Sequence, residues 1–190
     1  HFYDGHQHEA DLDVRERAIH AGYDELIELR ERVLSRGAEV HELITSGTPA
    51  LLHAASYAPL AELEGTVHRV SPGTVVFHDQ RSEEENPGLD LSPAATVLTR
   101  VVSHPTSDLA TCDAGSKAVA AEAGDPVAVV LGHPDWVATQ PNEEHLPIRI
   151  SGELPPRGVA LSLVPRHICP TVNLAERAVL MDGAELVGVV

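Results

Sequence analysis

Apolar residues recur at three- and four-residue steps early in the chain and as short β-branched runs in its second half. Ile19, Tyr23, Leu26, Leu29 and Val33 follow the helical period and predict a helix over residues 11–36. Gly37 is placed to stop it. Residues 38–45 then read as a strand, Ser46-Gly47-Thr48-Pro49 as a turn, and residues 49–56 as a short helix with proline at its first position. Further strands are expected at residues 1–7, 65–70 and 74–78. Alternating strands and helices of this kind form α/β architecture with parallel strands.

The pattern changes at QRSEEENPGLDLSP, an acidic, aperiodic stretch with two prolines that reads as a connection. Beyond it, residues 94–102, 127–131, 147–150, 159–164 and 186–190 are β-branched or apolar runs separated by Gly, Pro, Asp and Asn. The expected organisation is an α/β part over residues 1–80, a linker over 81–93 and a mostly β domain over 94–190.

Composition narrows the partners. The 190 residues are 43% hydrophobic, enough for a core, and carry a formal net charge of −16. Such a balance argues against nucleic acid or an anionic membrane surface as partner. No run is long and apolar enough to span a bilayer, and no signal peptide is legible. Cys112 and Cys169 give no disulfide framework, so a reducing cytoplasm is expected. The start at His1 and an opening strand-like segment give the expectation of a fragment.

The sharpest local signal is Arg166-His167-Ile168-Cys169-Pro170-Thr171 after an apolar strand. In an extended segment, residues two apart share a side, so His167 and Cys169 could converge on zinc with positions left open for substrate. A buried cysteine beside an ordinary histidine is the alternative. Ser46-Gly47-Thr48 lies between a strand and a helix, where backbone N–H groups, a helix dipole and two hydroxyls suit a phosphate; a simple capped turn is the other reading. His6 and His8 could be strand-borne metal ligands, as in barrel metallohydrolases, or polar groups at a strand end. Lys117, in Asp113-Ala114-Gly115-Ser116-Lys117, is the only lysine. Gly132-His133-Pro134 and Glu143-Glu144-His145 put further polar groups in presumed loops.

Taken in order, YDGHQH, SGTPA, PGTVVFHD, DAGSKA, GHPDW, NEEH and VPRHICPTVNL resemble the motifs of the family containing eukaryotic-type D-serine dehydratase and D-threonine aldolase. The resemblance runs over almost the whole chain. It implies an alanine-racemase-type fold, in which residues 1–80 are the last βα units of a TIM-type barrel binding pyridoxal 5'-phosphate and the remainder is the β domain. It further implies that Ser46, Gly47 and Thr48 bind the cofactor phosphate and that His167 and Cys169 ligate zinc. The implied activity is a lyase acting on a small D-3-hydroxy amino acid, as a homodimer when full length. The aldolase branch tends to carry an acidic residue where this chain has Cys169, which favours a dehydratase giving pyruvate and ammonia. A D-threonine aldolase-type carbon–carbon lyase and a non-catalytic metal-binding domain are the alternatives. Family members commonly have an aromatic residue at the place of Val75. Their Schiff-base lysine lies upstream of everything present here, and Lys117 does not match it, so the chain alone is expected to be inactive.

Overall fold

In the computed structural model, which describes residues 5–190, the chain divides into two compact units. The first contains the residues up to Val76 together with Ser82–Leu91, and the second contains Phe77–Arg81 and Ser92–Val190.

The first unit begins with α1 (Leu12–Leu34), started by Asp11, whose carboxylate accepts from the amides of Asp13 and Val14, and followed by Gly37 at φ +80°. Its buried face is Arg15, Ile19, Tyr23 and Arg30 rather than the expected stripe through Leu29, which is exposed. The reason is polar. Arg30 Nε donates to Thr66 Oγ1 at 2.7 Å, and Thr66 Oγ1 donates to Val40 O at 2.6 Å, so a paired guanidinium takes the inward position.

β1 (Glu42–Thr45) and β2 (Val67–Val70) pair in parallel, Leu43 opposite His68 and Thr45 opposite Val70. The crossover between them holds a 3-10 turn (Thr48–Ala50), α2 (Leu51–Ser56) and α3 (Ala58–Ala61). Ile19, Tyr23, Leu43, Ala50, Ala54 and Leu60 form the core of this unit, which packs α2 on α1. The strand expected at residues 1–7 lies partly outside the described residues, and Gln7 and His8 form a turn. The strand expected over residues 74–78 is a 3-10 turn at Thr74–Val76. The stretch read as an aperiodic connection contains α4 (Gln80–Glu85), closed by Asn86, whose amide and side chain both donate to Ser82 O.

The second unit is a closed six-stranded barrel in the order β3-β4-β7-β6-β5-β8. Its strands are β3 (Val97–Thr106), β4 (Leu109–Cys112), β5 (Ala128–Val130), β6 (His133–Ala138), β7 (Leu146–Arg149) and β8 (Ala160–Pro165). Every described pairing in it is antiparallel. A barrel of six strands has a narrow interior, and small inward residues (Ala110, Ala128 and Ala138, all fully buried) leave room for Leu146, Ile148 and Leu163. Cys112 also points inward, and burial pushes its thiol up to about 11, which makes it an inert core group. After β8 come α5 (Ile168–Val172) and an exposed hairpin of β9 (Val179–Asp182) and β10 (Glu185–Val189).

Candidate functional sites

The first site is the turn after β1. Ser46 is fully buried and has φ +51°, a left-handed conformation that is uncommon for a residue with a side chain. Thr48, two residues on, is 2% exposed. Neither Ser46 Oγ nor Thr48 Oγ1 has a hydrogen-bond partner, whereas neighbouring Thr45 Oγ1 lies 2.8 Å from His68 Nε2. Burying a hydroxyl without a partner costs about 1–3 kcal/mol, and the left-handed backbone adds about 1 kcal/mol. Two such hydroxyls around Gly47, held by the Ser71 amide donating to both Thr45 O and Ser46 O, form a cradle of donors without an acceptor. An anion fits that chemistry.

The second site is the turn after β8. The extended course expected over residues 166–171 is not found: His167 is the N-cap of α5 with extended backbone angles, while Cys169 lies within the helix and is exposed. The expectation that two-residue spacing alone would align the pair on one side of a strand is therefore corrected. Pro170 is the third helical residue, where its missing N–H would have had no partner within the helix. His167 Nδ1 lies 2.5 Å from Glu122 Oε1. When Nδ1 carries the proton, Glu122 accepts it and Nε2 keeps its lone pair for a metal. Asp79 is 1% exposed, and its Oδ2 accepts from the amide of Ile168 at 2.9 Å, the first residue of α5. Thr171 Oγ1 donates to His167 O at 2.9 Å and accepts from Ala120 N at 3.2 Å.

The other candidates divide. Lys117 Nζ is 2.7 Å from a carboxylate oxygen of both Glu143 and Glu144, and these bonds raise its pKa above the ordinary lysine value. Asp113 accepts from Arg100 N and Thr99 Oγ1, each at 2.8 Å, and the backbone bond from Arg100 leads the causes that lower its pKa. Asn142 Oδ1 accepts from the amides of Glu144 and His145, and its backbone O accepts from Ser116 N at 2.9 Å, so DAGSKA and NEEH form one interlocked pair of loops. His133 stacks on Trp136 with ring centroids 3.8 Å apart. His8 Nδ1 lies 3.2 Å from Glu85 Oε1, and His6 is exposed. Among the described residues neither His6 nor His8 belongs to a three-ligand cluster. Glu122 and Asp79 carried no signal in the sequence, because each meets the turn through the fold.

Residues 94–181 match the serine dehydratase domain family. A D-threonine aldolase from an Arthrobacter species is 33% identical over 124 residues, which are 63% of this chain and 32% of that protein. The solved D-threonine aldolase of Filomicrobium marinum matches with a TM-score of 0.84 at 22% identity, covering 98% of this chain and 50% of that one. D-threo-3-hydroxyaspartate dehydratase from a Delftia species matches with a TM-score of 0.68 at 24% identity, covering 92% and 50%. D-threo-3-hydroxyaspartate dehydratase is also known as histidine-to-alanine and cysteine-to-alanine mutants at positions two apart, the latter in a metal-free form. The chain thus spans about half the length of these solved relatives and about a third of the curated aldolase. Residues 94–181 thus carry a serine dehydratase-type domain, and the chain as a whole shares the fold of a D-threonine aldolase and of a D-threo-3-hydroxyaspartate dehydratase.

Proposed function

We propose that this chain contributes the phosphate loop and the metal turn of a pyridoxal-phosphate- and zinc-dependent lyase acting on D-3-hydroxy amino acids. The reaction would be of the D-serine dehydratase type, giving pyruvate and ammonia. In this reading the parallel pair β1–β2 belongs to the end of a TIM-type barrel, and the whole protein is a cytoplasmic homodimer. The observation that carries the proposal is the pair of buried hydroxyls without partners on Ser46 and Thr48, at a left-handed turn beside Gly47. They donate to the cofactor phosphate and remove the cost of their own burial. Bound pyridoxal phosphate supplies an electron sink at the substrate's α-carbon. Zinc supplies a Lewis acid for the departing hydroxyl. His167 and Cys169 would hold the metal, with Glu122 at His167 Nδ1 leaving Nε2 as the ligand atom. Support for the pair comes from D-threo-3-hydroxyaspartate dehydratase, in which a histidine and a cysteine two positions apart have been mutated, the cysteine mutant being known in a metal-free form.

Thr48→Val removes one hydroxyl at nearly constant shape. It is expected to stabilise the ligand-free chain by about 1 kcal/mol, because a buried polar group without a partner is gone. It should also weaken binding of pyridoxal 5'-phosphate about tenfold, or roughly 1.4 kcal/mol. Thermal melts and fluorescence titration, with pyridoxal lacking phosphate as control, read both effects. Unchanged affinity would remove the phosphate assignment.

Lys117 does not carry the cofactor. It is exposed, paired with two carboxylates and held protonated, which makes it a poor nucleophile. Borohydride treatment of the 190-residue chain with pyridoxal phosphate is expected to trap no stoichiometric adduct at Lys117, as read by peptide mass spectrometry. A D-threonine aldolase-type reaction is the second reading, favoured by the Arthrobacter relative at 33% identity. Product analysis with the full-length protein separates the two: pyruvate and ammonia for the dehydratase, an aldehyde and glycine for the aldolase.

A further inference from the structure

We propose that Glu16, His20 and His53 form a second divalent-cation site of the zinc type, built from residues other than the His167–Cys169 pair. Each residue offers one ligand atom, and the three atoms lie within 4.8 Å of one another. Glu16 and His20 are four residues apart on α1 and therefore share a face. His53 comes from α2, which the shared core of Ile19, Tyr23, Ala50 and Ala54 fixes against α1. A residue of that core precedes His20 and another follows His53, so the backbone positions of both ligands are set by packing.

The rings are oriented as well as placed. His20 stacks on Tyr57 with centroids 4.3 Å apart, and Tyr57 donates its hydroxyl to Asp24. The His20 and His53 rings stand nearly perpendicular, at 81°, which lets two nitrogen lone pairs approach one ion from different directions. His20 Nε2 lies 3.9 Å from Glu16 Oε1 and 3.3 Å from His53 O. A cation taken up by that nitrogen displaces its contact with the carbonyl and draws the ligand atoms to separations of about 3.3 Å, as tetrahedral zinc requires. Two imidazoles and a carboxylate suit zinc and its neighbours in the first transition row better than magnesium or calcium. With three protein ligands a fourth position stays open to water. The ion would also cross-link α1 to the helix that follows the Ser46–Thr48 turn.

The test uses the 190-residue chain carrying His167→Ala and Cys169→Ala, so that loss of the other pair cannot be confused with loss of this site. Titration with Co²⁺ is expected to show one equivalent bound, with visible ligand-field bands and no thiolate charge-transfer band. Zn²⁺ should compete for it and raise the melting temperature. Adding His53→Gln, at a partly exposed position, or His20→Gln, which keeps a donor near His53 O, should weaken Co²⁺ binding at least tenfold while circular dichroism stays unchanged. Absence of stoichiometric binding in the double variant, or equal affinity after His53→Gln in a folded chain, overturns the proposal. Either result leaves the reading of His167 and Cys169 untouched.

Discussion

Replacing Gly115 with alanine is expected to lower the melting temperature by roughly 10 °C, the equivalent of about 3 kcal/mol in a chain of this size. An added Cβ would sit 2.3 Å from Glu143 O and 2.4 Å from both Glu143 C and Glu144 N. All three are backbone atoms, so no side chain can swing aside. Relief requires one loop to move bodily. That movement breaks the bonds from Ser116 N to Asn142 O at 2.9 Å and from Lys117 N to Glu143 O at 3.3 Å. The damage should reach the second candidate site, because the same loop leads to Ala120 and Glu122, which meet Thr171 and His167. Differential scanning calorimetry measures the loss. A shift under 2 °C would mean that the close approach is relaxed in solution.

The second large effect is expected at Asp79. Asp79→Ala leaves the Ile168 amide without its acceptor and removes a buried carboxylate that starts α5. Losing a buried hydrogen bond to a charged group costs about 1.5–3 kcal/mol. Asp79→Asn keeps an acceptor oxygen and should cost about half as much. Urea denaturation gives the two stabilities, and amide hydrogen exchange at Ile168 shows whether the loss is local. Equal protection of that amide in wild type and Asp79→Ala would separate Asp79 from the turn. The expected local effect is a looser α5, and with it a less defined position for Cys169.

Where a single segment decides its own conformation, the sequence is a good guide. Asp11 and Gly37 bracket α1 because capping and chain reversal are local, and the polar turn at Ser46 to Pro49 follows from the same rules. Where neighbours decide, it is a poor one. β4 and β6 went unpredicted because β4 has only four residues and β6 opens on the polar run His133-Pro134-Asp135; their conformation is set by pairing with β3, β7 and β5. Thr74-Val75-Val76 has β propensity yet turns as 3-10 helix. Pro170, unsuited to a paired strand, is at home in the first turn of a helix. The residue types at the Ser46–Thr48 turn were legible, but their strain and missing partners were not. Glu122 and Asp79 are invisible for a simple reason: they lie 45 and 89 residues from the groups they hold.

The barrel closes on β8, which pairs with β3 on one side and β5 on the other. Val97 meets Leu163 and Arg100 meets Ala160, contacts that join chain positions about sixty residues apart and carry a high loop-closure entropy. During synthesis, β3 and β5 therefore keep open edges until β8 arrives. The next residues to follow are Arg166, His167 and Cys169. The turn that bears them is anchored to the strand that completes the barrel, so its geometry is set only once the barrel closes. A nascent chain released before that point would have neither a sealed sheet nor a positioned His167.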